Sequence, residues 1–374
     1  MKKGLIALMT GILTAGAAGA PFDENEWFKT DIDLRTPEVK QAEEQWLKPP
    51  ATAYPFPETA IKTMNGIPWP HIDGKPLQLF SRAIMNYQFN GNPVERMLRE
   101  HGVKVFMLDV DCAQLQPPPG KGFTMVDTTF EKFMKSAESL VKTVPDAKII
   151  VRLWLTNVPP DYVERFPEAV MTGEDGKTDW GRSYGGNGHT RRTNFLDEWR
   201  LYVGEFLAKF IEKIGESPYA PQVAGFYLAA MNSGEWWYFK GAGDVGWDYS
   251  PGRKELFRRY LALKYGPDHV KTLKERWQLD SAEAVYKLPS LAERGQYPIE
   301  PGSKVSEYNQ VLNLPITSAA SYFARIIKAK TNGKALAGME IHAYLNIFKN
   351  NGTIFLNHLL RTPEIDFGRS QQMV

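Results

Sequence analysis

The chain has 374 residues, of which 43% are hydrophobic and 24% charged, a composition typical of a soluble globular protein with a large core. The net charge of +2 is not gathered in a basic block, which argues against a nucleic-acid partner. The single cysteine, Cys112, excludes an intrachain disulfide. Because it lies outside the N-terminal leader, it also excludes a lipid anchor at a processed N-terminus.

Residues 1–20 have the pattern of a secretory signal peptide. Two lysines precede an apolar stretch too short to span a bilayer as a mature helix, and small residues follow it. We expect cleavage after Ala17 or Ala18 and export to the periplasm or the extracellular space. No later stretch of the sequence has eighteen uninterrupted apolar residues, so we expect no membrane span.

Residues 21–76 are rich in proline, charge and tryptophan with little periodicity, and we interpret them as an irregular N-terminal extension. From residue 77 onward, strand and helix patterns alternate. The predicted strands are 77–81, 103–108, 148–155, 224–231, 335–344 and one that opens at 364–367. The predicted helices are 93–100, 130–144, 194–214, 250–264, 269–277, 317–330 and 354–360, with a long loop at 156–193 and an irregular stretch at 281–305.

This alternation, with connections long enough for right-handed crossovers, predicts a parallel sheet. No glycine-rich turn follows the first predicted strand, which disfavours a dinucleotide-binding fold. The sequence therefore predicts an α/β fold, a (β/α) TIM-type barrel over residues 77–374 with about six of its eight strands recognisable. An incomplete barrel has exposed strand edges, so we expect possible self-association through them.

The leading candidate for chemistry is Glu235. It follows a buried strand and the turn Asn232-Ser233-Gly234, and it precedes Trp236 and Trp237. Barrel enzymes carry their catalytic residues where a parallel strand runs into a loop, and a carboxyl group beside apolar rings suits a general acid. The alternative is an exposed glutamate that merely starts the next segment.

Charged residues in the neighbouring strands are the next candidates. Arg152 lies on an otherwise apolar strand and therefore needs a carboxylate partner at the barrel mouth. The alternative is a side chain that extends to solvent or pairs with a structural aspartate. Asp109 and Asp111 follow the second strand and are suited either to bind sugar hydroxyls or to cap a turn. Alternation along the fifth strand places Glu340 in the barrel interior, where it can pair with Arg152.

Further polar and aromatic residues complete the predicted substrate-binding set. Tryptophan rings stack on the C–H faces of sugars, although each of these rings is also a candidate for packing. The histidines are equally compatible with a solvated loop position or a satisfied core position. The set comprises Asn232, Trp236, Trp237, His189, His342 and Tyr344. Six scattered histidines and one cysteine form no metal-ligand pattern, so we expect neither a metal nor a cofactor.

The run from Trp154 to Gly266 resembles the family 42 glycoside hydrolases, β-galactosidase-like enzymes of the large retaining (β/α)8-barrel clan. The order and spacing of several short pieces carry the resemblance: Pro159-Pro160, Phe166-Pro167-Glu168, Asp175-Gly176, His189, Arg191-Arg192, the strand before Glu235, Tyr249-Ser250-Pro251, 261–266 and Trp277. The resemblance implies retaining hydrolysis of β-galactosides or related β-linked sugars. It makes Glu235 the acid/base and Arg152 a partner of the active-site carboxylates.

The chain departs from the family pattern at two points. Gly234 stands where family members usually have an asparagine, so either Asn232 replaces it or the substrate contacts differ. The family nucleophile follows the seventh strand, whereas this chain ends during the sixth, and Glu340 would have to lie on the seventh to take that role. Two hypotheses follow: a truncated retaining glycosidase whose nucleophile lies beyond residue 374, and a catalytically inactive carbohydrate-binding barrel. Whether this chain alone is an enzyme stays open.

Overall fold

The computed structural model describes residues 32–76, 83–84, 100, 102–111, 125–155, 166–178, 196–230, 236, 248–294, 299–341 and 362–370. Residues 33–374 form one compact unit, to which every element below belongs. Residues 1–32 form a unit of their own in which only Ile32 is described, so the predicted signal peptide lies outside the described part. None of the described helices is long and apolar enough to cross a membrane.

The segment interpreted from the sequence as irregular contains a small antiparallel sheet. Its strands are β1 (Thr59–Met64), β2 (Ile67–Ile72) and β3 (Lys75–Pro76). The two connecting turns are Asn65-Gly66 and Asp73-Gly74, and all four residues have positive φ. Asn-Gly and Asp-Gly are the pairs that two-residue hairpin turns of this backbone type favour. The hairpin signals were therefore present in the sequence, and regular strands replace the expected irregular extension here.

A helix precedes this sheet. Helix α1 spans Pro37–Trp46, and the Thr36 hydroxyl caps it by accepting a hydrogen bond from the Val39 N–H at 3.3 Å. Its Glu43 is buried and accepts hydrogen bonds from Arg200 and, at 2.8 Å, from Arg35. This buried carboxylate attaches α1 to the main body of the protein.

The centre of the fold is a parallel sheet whose strands follow one another in chain order. The described strands are β4 (Ala83–Ile84), β5 (Val105–Asp111), β6 (Lys148–Trp154), β7 (Val223–Ala229), β8 (Leu336–Ile341) and β9 (Phe367–Ser370). Every neighbouring pair is parallel. The predicted TIM-type (β/α) fold is confirmed, with six parallel strands among the described residues. The predicted first strand, 77–81, is not among those residues.

Helices occupy the crossovers between these strands. They are α2 (Met125–Thr143), α3 (Asp197–Gly215), α4 (Pro251–Tyr265), α5 (His269–Arg276), α6 (Glu283–Tyr286), α7 (Leu291–Arg294) and α8 (Lys304–Lys330). The short helices α6 and α7 lie in the stretch 281–305 that the sequence left irregular. Of the predicted helix 93–100 only residue 100 is described, and the predicted helix 354–360 lies outside the described ranges.

Helix α8 begins at Lys304, well before the predicted start at residue 317, and continues through Pro315. A proline inside a helix has no N–H, so the carbonyl four residues earlier loses its helical donor. That carbonyl belongs to Val311, and Arg253 of α4 donates to it at 2.8 Å from a fully buried position. The helix therefore continues because a distant side chain replaces the missing donor.

The small antiparallel sheet packs at the amino-terminal end of the parallel strands. Ile72 joins the apolar cluster that includes Val105 at the start of β5. Asp73 pairs with Lys148, the first residue of β6, at 3.1 Å, and the Thr59 N–H donates to the Lys334 carbonyl before β8 at 3.1 Å. With this end covered, the carboxyl-terminal end of the strands is where a site is expected.

Candidate functional site

Polar residues lie near the carboxyl ends of three strands. The strand register places Asp109 of β5 beside Arg152 of β6, and Glu340 is the penultimate residue of β8. Met107 and Ile150, two residues before Asp109 and Arg152, belong to the interior apolar cluster. Because side chains alternate along a strand, Asp109 and Arg152 point to this same interior face.

Arg152 is the centre of the polar group. Its Nη2 donates to Oε2 of Glu340 at 2.8 Å, and its Nη1 lies 3.5 Å from Oδ1 of Asp109. The guanidinium carbon also lies 4.4 Å from the ring centre of Trp154 and 5.9 Å from that of Tyr227. Arg152 is 2% exposed and Glu340 0% exposed, so the attraction between them acts in a poorly solvated region. The carboxylate partner that Arg152 required is therefore present as Glu340, with Asp109 close by.

The group places two carboxylates beside the guanidinium of Arg152. Because carboxylate oxygens accept hydrogen bonds, the group suits a ligand that brings hydrogen-bond donors.

Glu340 lies on the fifth of the six described parallel strands, the position expected from the sequence. Its carboxylate is fully buried and held by Arg152. Its Oε2 is thus engaged by Arg152, and a role for Glu340 as the second catalytic carboxylate stays a prediction.

Trp236 packs on the helix side of the sheet. Its ring is 1% exposed, and its Nε1 donates to the Leu228 carbonyl at 3.0 Å. The ring centre lies 6.2 Å from that of Trp199 on α3 and 6.3 Å from that of Phe323 on α8. A large ring with its polar atom satisfied by a strand carbonyl is a core residue. This position provides packing and not the sugar stacking expected from the sequence.

Most of the remaining predicted site residues fall beyond the described ranges, and their roles stay predictions. They are Glu235, Asn232, Trp237, His189, His342 and Tyr344. Asp111 ends β5 beside Trp154 in the strand register, but its side chain is also not described.

One buried residue that the sequence did not single out ties two segments together. Oδ1 of Asp248 accepts hydrogen bonds from the N–H groups of Thr172, at 3.0 Å, and Ser250, at 2.9 Å. The Tyr249 N–H donates to the Thr172 carbonyl at 2.8 Å. Burial raises the pKa of Asp248, while Arg253 and these hydrogen bonds oppose the rise. Asp248 thus joins the segment after β6 to the start of α4. Only the local signal, Ser250-Pro251 as a helix start, was visible in the sequence.

Within the described residues, no group of three or more histidine, cysteine, aspartate or glutamate side chains is arranged to hold a metal ion.

Comparisons with protein-family models and with curated proteins give no match. Comparison with solved structures does. A β-galactosidase from the psychrophilic Marinomonas ef1 matches with a TM-score of 0.50 and 17% identity, over 71% of this chain and 37% of that one. This likeness shows that the two proteins share the (β/α) TIM-type barrel fold.

Two other structures match at lower similarity. A GH42 β-galactosidase from G. stearothermophilus has a TM-score of 0.47 and 13% identity, over 71% of this chain and 36% of that one. The catalytic domain of a β-amylase from Paenibacillus polymyxa has a TM-score of 0.43 and 13% identity, over 71% of this chain and 68% of that one. This chain therefore spans 37% of the length of the Marinomonas β-galactosidase, and the likeness concerns the fold.

Proposed function

We propose that this protein is an exported glycoside hydrolase that acts on β-galactosides or related β-linked sugars by a retaining mechanism, with Glu235 as the acid/base. The observation that supports the proposal is the buried group of Asp109, Arg152 and Glu340 near the carboxyl ends of the strands of a glycoside hydrolase barrel. Barrel enzymes place their active sites at this end.

The proposed roles follow from strand positions. Glu235 lies six residues after the end of β7, the fourth strand of the described parallel sheet, and we assign it the proton transfer to the leaving group. Arg152 holds the carboxylates around it in place. Asp109 is proposed to contact substrate. The same role is proposed for residues on which the structure is silent, namely Asn232, Trp237, His189, Asp111, His342 and Tyr344.

A retaining mechanism needs a second carboxylate about 5 Å from the first. We propose that Glu340 is not that group, because it is buried, paired with Arg152 and located on the fifth of the described parallel strands. On this proposal another carboxylate attacks the anomeric carbon. A barrel that binds the sugar without cleaving it is the alternative that the experiment must separate.

The test is hydrolysis of aryl β-galactosides by the full chain and by Glu235→Gln. Loss of a general acid costs roughly 10²–10⁴-fold in rate, so we expect a fall of that size in kcat/KM. The fall should be larger for phenyl than for 2,4-dinitrophenyl galactoside, because a good leaving group does not need protonation. Glu255→Gln on the surface of α4 is the matched control and should keep full activity.

Equal activity in the wild type and Glu235→Gln would remove Glu235 from the mechanism. Saturable galactoside binding without turnover in the wild type would support the binding barrel instead. If the wild type neither binds nor cleaves any β-linked glycoside, the proposed function is wrong.

A further inference from the structure

Three buried carboxylates in this protein use both of their oxygens. Glu43 accepts from Arg200 and Arg35 with different oxygens. Both oxygens of Asp248 accept hydrogen bonds from Ser250. Glu307 of α8 is also buried. Its Oε1 accepts hydrogen bonds from Lys264 and Tyr265, each at 2.9 Å. Its Oε2 accepts hydrogen bonds from Tyr260 and Lys264, each at 2.7 Å. Full pairing is the rule for buried charged oxygens, because an unsatisfied one is costly.

Glu340 departs from this rule. Its Oε2 accepts from Arg152, but its Oε1 is buried and has no hydrogen-bond partner among the described residues. The side chain is 0% exposed, so bulk water does not compensate. A carboxylate oxygen in this state is an available acceptor at the barrel interior, near the carboxyl end of β8.

The surroundings indicate which donor would fit. Oε1 of Glu340 is a carboxylate oxygen, which accepts hydrogen bonds, so a fitting ligand brings a hydrogen-bond donor such as a hydroxyl. The aromatic rings of Trp154 and Tyr227 lie 4.4 Å and 5.9 Å from the guanidinium carbon, so apolar rings and polar groups stand side by side here. Sugars, which carry both C–H faces and hydroxyls, are recognised by such combinations.

We propose that Glu340 is a substrate-binding residue whose Oε1 accepts a hydrogen bond from a hydroxyl of the bound sugar, and that Arg152 is the positioning residue that aims it. This inference rests on the proposed function and replaces a nucleophilic role for Glu340 with a recognition role. No covalent bond to Glu340 forms on this view.

The experiment is a double-mutant cycle between protein and ligand, measured by calorimetry with methyl 1-thio-β-galactoside, which is not turned over. Glu340→Gln keeps the shape of the side chain and removes the charge. A hydrogen bond to a charged acceptor contributes roughly 10–100-fold to binding, so we expect Kd to rise by that factor. Monodeoxy thiogalactosides should locate the partner. One of them should lose affinity for the wild type and lose almost none for Glu340→Gln.

Glu307→Gln is the control, because it removes a buried carboxylate whose oxygens are fully paired and should lower thermal stability without changing Kd. Should Glu340→Gln fail to fold, Glu340→Asp keeps the charge and draws the oxygens back, and it should lose the same hydroxyl preference.

Unchanged Kd in a folded Glu340 variant would overturn the inference and leave the proposed function standing. So would an equal loss for every deoxy analogue, since that result indicates a structural effect or an internal water. If the wild type binds no β-linked thioglycoside, the inference about Glu340 is overturned; the proposed function falls with it only if the wild type also cleaves no aryl β-galactoside.

Discussion

Replacement of Arg152 by methionine should destabilise the protein strongly, because it removes the cation that is paired with the fully buried Glu340. Arg152 is 2% exposed and lies 2.8 Å from Glu340 and 3.5 Å from Asp109. Removal of one partner of a buried ion pair typically costs about 3–5 kcal/mol. We expect Arg152→Met to lower the free energy of unfolding by about that amount, which is a large part of the stability of an ordinary domain.

The double variant tests whether the cost comes from the stranded charge. Replacing both members of a buried pair by apolar residues is often close to neutral, so Arg152→Met with Glu340→Met should recover at least about 2 kcal/mol of the loss. Urea unfolding measures each variant, and an unchanged slope shows that the same folded state is being compared.

A surface pair provides the control. Lys209 and Glu205 form an ion pair about half-exposed to solvent on α3, and Lys209→Met should change stability by no more than about 0.5 kcal/mol. The reasoning fails if Arg152→Met costs less than about 1 kcal/mol, or if the double variant loses the sum of the two single losses.

Two further predictions concern packing and pH. A Cβ atom at Gly338 would lie 2.2 Å from the Phe367 ring, so Gly338→Ala should lower the free energy of unfolding in urea by roughly 1–3 kcal/mol. Adding Phe367→Leu should restore part of the loss. If Gly338→Ala leaves the stability unchanged, the close approach is contradicted. Burial alone would raise the pKa of Asp33, but hydrogen bonds from Arg35 and Lys40 outweigh it and hold the pKa well below the ordinary value of 3.8. A lowered folded-state pKa contributes stability that is fully present above the unfolded value and is lost progressively as pH falls below it. Asp33→Asn should therefore reduce the melting temperature near pH 7, and the reduction should shrink steadily as pH falls below 3.8. A difference that does not change with pH would refute the linkage.

Much of the fold follows from patterns along the chain. The predicted strand at 148–155 and the helix opened by Ser250-Pro251 agree with β6 and α4 within one residue. Parallel pairing follows from the alternation of strands and helices, because each crossover returns the chain in the same direction. The partner of Arg152 was also predictable, since a buried guanidinium requires a carboxylate and strand alternation places Glu340 on the interior face.

The small antiparallel sheet differs from the expected irregular extension, although the sequence contains the turn signals for it. The turns Asn65-Gly66 and Asp73-Gly74 are strong hairpin indicators, yet the surrounding proline and charge suggested an irregular extension. Composition predicts local structure less well than such a residue pair does, because glycine and asparagine readily adopt the positive φ that the turn requires.

By itself, the sequence determined the parallel alternation of strands and helices and the need of Arg152 for an anion if it is buried, because apolar periodicity acts along the chain. Only the tertiary structure decided that Trp236 fills the space beneath α3 and α8, and that Arg253 supplies the donor lost at Pro315. It also decided that Glu340 has one oxygen paired and the other left without a partner among the described residues. These outcomes depend on groups that are far apart in the chain, whose distances and directions no local pattern records.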